Sequence, residues 1–224
     1  METARASSEI ELMLVTKTVP VEKISAAFNL GCHLFGENKV QEVVQKWVPS
    51  NLSHIKPDFI GHLQTNKVKI CLDVCGRIHS VDRIGLIEAL DRELQKRGEE
   101  REVFLQVNTS DEASKYGVSV NDAIHFAKIA SRYQTLKITG LMTLALFSED
   151  TNKVRPCFRK LKELRSQLQG EGLFGEDFRH LSMGMSSDYP VAIEEGATIV
   201  RVGTAIFGNR PTPDSYYWPG EGKK

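Results

Sequence analysis

Lys17 closes the short apolar run Leu12-Met13-Leu14-Val15-Thr16, and the chain turns at once through Thr18-Val19-Pro20. A run of apolar and β-favouring residues followed by a turn predicts a buried strand that delivers one amine to its C-terminal rim. Burying an ammonium is costly, and losing the proton relieves the cost. The neutral amine is the form that attacks a carbonyl carbon and makes a Schiff base. A solvated lysine in a strand-end loop is the competing reading, and Lys17 alone does not decide between them. Two segments near the C-terminus carry a different chemistry: Ser182-Met183-Gly184-Met185-Ser186-Ser187 and Arg201-Val202-Gly203-Thr204. Gly203 lets the backbone approach an anion closely, Ser186 and Thr204 add hydroxyls, and amides at a helix start supply further donors. Such a cluster is equally the mark of a turn and a helix cap.

What must position these groups is a regular alternation of strand and helix signals. The Lys17 strand is followed by a helix with Ile24, Ala27 and Phe28 on one face, closed by Gly31. His33-Leu34-Phe35 predicts a second strand, ending in Gly36-Glu37-Asn38, and Val40, Val43, Val44, Trp47 and Val48 form the next helical stripe. Further strands are expected at Asp58–Ile60, Arg77–His79, Glu102–Val107, Lys137–Leu141, His180–Ser182 and Ile199–Val202, each followed by a helical pattern. The longest helix carries Val154, Phe158, Leu161, Leu164 and Leu168, with Pro156 expected in its first turn. Eight β-then-α units without a linker point to α/β architecture: a single domain over residues 1–224, with a (β/α)8 TIM-type barrel at about 11–208 and a tail at 209–224. A doubly wound open sheet is the alternative.

In a barrel the loops after the strands share one rim, and chemistry belongs there. Lys17 follows the first strand and Asn38 the second. Gly61-His62-Leu63-Gln64-Thr65-Asn66-Lys67 follows the third, and the stretch from Asn108 to Lys115 the fifth. The Ser186 and Gly203-Thr204 segments follow strands seven and eight, where barrels often bind phosphate. An amine facing a phosphate cradle across one rim is the layout that pyridoxal 5′-phosphate requires, its aldehyde meeting the amine and its phosphate the cradle. A guanidinium such as that of Arg201 only donates and stays charged, so it keeps a facing pyridine nitrogen unprotonated and weakens the ring as an electron sink. An ion-paired arginine near a strand end is the plain alternative. For His62 the default is a satisfied loop histidine, for Lys115 a solvated amine beside Asp111 and Glu112, and Tyr116 carries no specific signal.

Composition removes other classes of function. Lys plus Arg and Asp plus Glu number 29 each, so the net charge is zero and no footprint for nucleic acid or an acidic membrane exists. The four cysteines, Cys32, Cys71, Cys75 and Cys157, make neither a CxxC pair nor a metal-ligand spacing, which suits a reducing compartment. No apolar stretch approaches the roughly 20 residues that span a bilayer, and the acidic N-terminus lacks a signal core. The expected location is cytoplasmic.

The strings VTKT, FGENKVQE, FIGHLQTNK, VNTSDEASKYG, GLMTL, LSMGMSSD and VRVGTAIFG resemble those of the pyridoxal phosphate homeostasis proteins, the proline synthase co-transcribed homologues. That family in turn resembles the N-terminal barrel domain of alanine racemase, and the likeness runs from about residue 12 to residue 208. It implies pyridoxal 5′-phosphate held as an aldimine on Lys17, with Ser186, Gly203 and Thr204 at phosphate-binding positions and Asn38 on the cofactor side. It also implies that Arg201 matches the arginine that faces the pyridine nitrogen in the racemase-like barrels. The implied partners are the small-molecule cofactor and apo enzymes that use it, and the implied state is a monomer. Two departures from the pattern stand out. Only about ten residues precede the first strand where relatives carry a further helix, and Pro57-Asp58-Phe59 stands where Trp-His-Phe is common. The second is expected to alter the edge of the third strand and leave the Lys17 rim unchanged.

Three functions remain. The first is a protein that buffers and delivers the cofactor without turnover. The second is an amino-acid racemase, which needs acid/base groups on both faces of the substrate carbon. In alanine racemase a tyrosine reaches the site through a second domain, and only about 16 residues follow the barrel here. The third is a barrel enzyme using Lys17 as a Schiff-base catalyst on another phosphorylated metabolite.

Overall fold

The computed structural model describes residues 9–208 except 113 and 149. The expected tail at 209–224, with Tyr216, Tyr217 and Trp218, and residues 1–8 lie outside the described residues. The elements follow the order β1 (Glu11–Val15), α1 (Val21–Asn29), β2 (Phe35–Glu37), α2 (Val40–Lys46), β3 (Asp58–Phe59), α3 (Val68–Val74), β4 (Ile78–Val81) and α4 (Ile84–Arg97). They continue with β5 (Arg101–Asn108), β6 (Val118–Ser119), α5 (Val120–Ala130), β7 (Leu136–Met142), α6 (Thr151–Gly170), β8 (His180–Ser182), α7 (Tyr189–Glu194), β9 (Ile199–Val202) and α8 (Thr204–Phe207). All strand pairings are parallel, as crossover helices demand. The pairing of β4 with β5, Ile78 against Val103, closes the sheet. The result is the eight-stranded barrel read from the alternation, and the open sheet is excluded. The short β6 lies outside that ring, on the end of β5.

Helix boundaries follow local chemistry. Ser119 caps α5 by accepting the Asp122 N–H, and Gly98, at φ 63°, takes the left-handed conformation that ends α4. Asp150 caps α6 through the Asn152 N–H, so that helix starts earlier than Val154 and Pro156 falls in its second turn rather than its first. The carbonyl this proline leaves without a helical donor belongs to Asn152; both residues are exposed, so water can serve it. The β2 strand also lies two residues further on than His33-Leu34-Phe35. Thr16 donates its N–H to Gly36 O at 3.0 Å, which draws Gly36 and Glu37 into the ladder. On α2 only Val40, Val43 and the following Trp47 are buried. Val44 and Val48 are exposed, so the apolar face is narrower than the sequence stripe.

The core has two parts. The larger lies between the sheet and its helices and includes Leu14, Phe35, Phe59, Leu90, Phe158 and Leu181. The smaller fills the barrel interior: Met13, Phe104, Met142 and Ile199, with Leu34, Ile60 and Leu144 packed against them. Beside this apolar plug runs a chain of polar groups, buried at Asp58 and His79 and part-buried at Arg77 and Glu11. Arg77 binds Asp58 through Nε at 2.8 Å and Glu11 through a terminal nitrogen at 3.2 Å. Asp58 also accepts from His79 Nε2 at 3.1 Å, and His79 stacks on Phe104 with ring centroids 3.9 Å apart.

Asp58 therefore does not modify a strand edge. β3 is paired on both sides, with β2 and β4, and the Asp58 carboxylate reaches His79 and Arg77 in the interior. Burial works against its charge, but the His79 hydrogen bond and the adjoining Arg77 hold its pKa below the ordinary aspartate value. A group whose pKa is lowered on folding adds stability above the unfolded pKa and loses it as pH falls through the folded one. Asp58→Asn should therefore destabilise the protein by about 1.5–3 kcal/mol at pH 7, because the part-buried Arg77 keeps only Glu11 as a counter-charge and His79 loses a charged acceptor. Denaturant melts of both proteins should show the gap narrowing as the pH is taken below 4.

Candidate functional site

The rim formed by the C-terminal ends of the strands gathers the residues singled out in the sequence. In the β1–β9 ladder Leu14 lies opposite Val202, and a Cβ on Gly203 would come within 3.2 Å of the Val15 carbonyl oxygen. Lys17 thus stands two residues beyond the point where the first strand meets the Gly203 segment. It lies just past the strand rather than in it, and it is half-buried.

The turn that presents Lys17 is pinned from below by α2. Lys46 Nζ donates to Thr16 O at 2.7 Å, and Glu42 accepts the Thr18 N–H at 2.5 Å. Thr18 has φ 62°, a left-handed conformation costing a β-branched residue about 1–2 kcal/mol. Beneath the turn, the buried Glu37 accepts from Thr16 Oγ1 at 2.6 Å, Trp47 Nε1 at 3.0 Å and Lys46 Nζ at 2.6 Å. Burial pushes its carboxyl up, and Lys46 opposes that shift. The i, i+4 spacing of Glu42 and Lys46 was the only sequence signal of this support, since it places both on one helix face.

Asn38 leaves β2 at the same rim, and its Oδ1 is buried without a hydrogen-bond partner. A buried acceptor of this kind calls for a donor. The backbone of Gly61, at the head of the third loop, presses against Asn38: a Cβ at Gly61 would lie 2.1 Å from Asn38 O. Gly61→Ala should displace Asn38 and destabilise the protein by at least about 1–3 kcal/mol, measurable as a lowered melting temperature and a changed amide spectrum around residues 36–40.

Ser186 and Gly203 are brought together. Ser186 Oγ accepts the N–H of Gly203 at 3.1 Å and of Ala205 at 3.3 Å, with Thr204 exposed beside them. Two amides converging on one oxygen, at a glycine where a Cβ would sit tightly against Val15 O, form a cradle of the kind that suits a phosphate oxygen. Arg201 is buried below. One terminal nitrogen donates to Ser182 Oγ at 2.8 Å and the other to Thr143 O at 2.8 Å. Desolvation lowers its pKa to about 10, partly offset by the charge of Asp188, so it is a cation at neutral pH. It is not a surface or carboxylate-bridged arginine.

The remaining rim residues differ from expectation in part. Lys115 is not solvated: its Nζ donates to Ala145 O at 2.6 Å and pairs with Glu112. His62 and Tyr116 stack on each other, centroids 4.1 Å apart and planes at 20°. Burial and Arg83 hold the His62 pKa below the usual histidine value, although Asp82 lies 3.6 Å away. Nothing in the spacing of 62 and 116 announces that pair, because it depends on two loops meeting. Among the described residues no group of three or more His, Cys, Asp or Glu side chains could hold a metal, and no helix is long and apolar enough to cross a membrane.

The family model for the alanine racemase N-terminal domain matches residues 1–211. The pyridoxal phosphate homeostasis protein of Aquifex aeolicus is 41% identical over 206 residues, covering 92% of this chain and 90% of the relative. The human protein of the same name is 37% identical over 218 residues, covering 91% and 79%. The chain belongs to the pyridoxal phosphate homeostasis protein family, on the barrel of the alanine racemase N-terminal domain. Among solved structures, PipY of Synechococcus elongatus, with pyridoxal phosphate bound, superposes with a TM-score of 0.84 at 33% identity, covering 92% of this chain and 95% of PipY. An alanine racemase from Clostridium difficile gives 0.71 at 13% identity, which shows a shared fold, and its chain is covered over only 54%.

Proposed function

We propose that this protein binds pyridoxal 5′-phosphate through Lys17, holds it in reserve for enzymes that need it, and turns over no substrate. The observation that carries the reading is the convergence on one rim of the Lys17 amine, the Ser186–Gly203 cradle and the Arg201 cation. PipY, which belongs to the same set of similar chains and was solved with the ligand, supports it. When bound, the cofactor supplies an aldehyde carbon for an amine and a ring that can take up electrons.

The chain's own residues have separate tasks in this reading. Lys17 gives a covalent, reducible linkage, water leaving as the C=N bond forms. Ser186, Gly203 and Thr204 bind the phosphate, and Asn38 offers its unpaired Oδ1 to a donor on the cofactor. Arg201 faces the ring nitrogen. A guanidinium cannot accept a proton, so it would keep that nitrogen unprotonated and weaken the ring as an electron sink. The recipients are apo enzymes dependent on the cofactor, and the protein acts as a cytoplasmic monomer.

The test is a titration of the purified protein with pyridoxal 5′-phosphate, followed by borohydride reduction and peptide mapping. A new near-visible band and one reduced adduct, on Lys17, are expected. An adduct found mainly on Lys115 or Lys67 would overturn the assignment.

A further inference from the structure

Asp58, His79 and Ser182 stand in a line across the barrel interior and end on Arg201. Ser182 Oγ is 3.0 Å from His79 Nδ1, His79 Nε2 is 3.1 Å from Asp58 Oδ2, and Arg201 donates to Ser182 at 2.8 Å. Burial holds the His79 pKa below the usual histidine value, and for a neutral ring one arrangement of protons satisfies every link. Arg201 has no acceptor, so Ser182 must accept from it, which leaves the Ser182 proton for His79 Nδ1. His79 then carries its single proton on Nε2 and donates it to Asp58. His79 and Ser182 are wholly buried, and Asp58 is only 4% exposed. The far end is fixed as well, since Asp58 takes Arg77 Nε on the same oxygen.

Serine, histidine and aspartate in this order are also the parts of an acyl-transfer triad. That chemistry does not fit here. The Ser182 hydroxyl has no access to solvent, and the guanidinium occupies the face a carbonyl carbon would need. The line instead ends at a cation on the cofactor rim, with its plane held from two sides, by Ser182 and by Thr143 O.

We propose that Asp58, His79 and Ser182 are positioning residues that orient the Arg201 guanidinium toward the ring nitrogen of the bound cofactor. The inference deepens the proposed function and rests on its assignment of Arg201 to that nitrogen. Each donor in the line points away from Arg201, so every hydrogen bond increases the acceptor strength of the next oxygen or nitrogen on the way back to the arginine. Ser182 is thereby a stronger acceptor than an isolated hydroxyl, and the arginine is held in one rotamer rather than several. Without the line, a buried guanidinium would turn to any carbonyl within reach.

The experiment compares pyridoxal 5′-phosphate with its 1-deaza analogue, which keeps the aldehyde and phosphate but has carbon in place of the ring nitrogen. Ser182→Ala should raise the dissociation constant for pyridoxal phosphate about tenfold, the size of one lost charge-assisted contact. For the deaza analogue it should change less than twofold. Equal weakening of both ligands would show that Ser182 only supports the fold, and the proposal fails. If wild-type protein forms a covalent adduct with neither ligand, the proposed function fails instead. A measurement on the wild-type protein needs no variant to fold: ¹⁵N-resolved NMR of His79 should show a neutral ring with the proton on Nε2 from pH 6 to 8. A proton on Nδ1, or a doubly protonated ring in that range, contradicts the line and overturns the proposal.

Discussion

Lys17→Ala should lose the near-visible band and the borohydride-stable adduct completely, while its melting temperature stays within a few degrees of the wild type. The reason lies in how the residue is held. The turn around Lys17 is fixed by main-chain groups, Thr16 O and the Thr18 N–H, which are bound by Lys46 and Glu42 of α2. Lys17 contributes neither of these contacts and belongs to neither part of the apolar core. Removing its side chain leaves these main-chain contacts in place, so the fold should be retained. The cofactor would still be attracted to the cradle and the arginine, so equilibrium dialysis should detect weakened, fully reversible binding. Retention of a reducible adduct in this variant would assign the amine elsewhere.

The second large effect concerns the phosphate. Ser186→Ala combined with Thr204→Val removes two hydroxyls from the cradle, each worth about 1.5–3 kcal/mol when bound to a charged group. Together they should weaken pyridoxal 5′-phosphate by about 10²–10⁴-fold. Pyridoxal, which lacks the phosphate, should lose less than about tenfold. The Gly203 and Ala205 amides, which now converge on Ser186 Oγ, remain in the variant, so some phosphate affinity should survive. Competition binding by the two ligands gives the ratio directly. Equal loss for both would place the cradle elsewhere on the rim.

Much of this was legible in the sequence because barrel strands buried on both faces read as apolar runs and their helices as 3.6-residue stripes. Lys17, Asn38, Ser186, Gly203 and Thr204 could be placed on one rim because each follows a strand end, with Arg201 in the last strand just before it, and parallel strands send all those ends the same way. The support behind the rim was not legible. Asp58, His79 and Ser182 sit on three strands, 21 and 103 residues apart along the chain, and only the barrel's curvature faces them across the interior. His79 read as one residue of an ordinary short strand, and Asp58 as an edge variation. The stacked His62 and Tyr116 escaped notice for a similar reason, since loop-to-loop contacts leave no periodic trace. Glu37 falls at the expected end of the second strand, and the ladder carries it inside. In the barrel Gly36 is the residue that lets Met13 fill the interior: its Cβ would meet the Met13 sulfur at 2.6 Å.

The lysine tethered to Ala145 O shows the same limit from another side. Lys115 sits in a polar stretch whose composition suggests solvation, yet its side chain is only 11% exposed and its ammonium closes the fifth loop onto the segment after β7. Composition describes a segment's preference for water. It does not describe which neighbour the fold places above it.

The central claim is storage without turnover, and exchange of the α-proton in heavy water tests it most directly. L- and D-alanine are incubated with a large amount of the cofactor-loaded protein, and the α-proton signal is followed by NMR. No exchange or racemisation above that of free pyridoxal 5′-phosphate is expected, because a donor-only guanidinium at the ring nitrogen would weaken the ring as an electron sink. Sustained exchange that disappears in Lys17→Ala would contradict the account and make the protein a racemase.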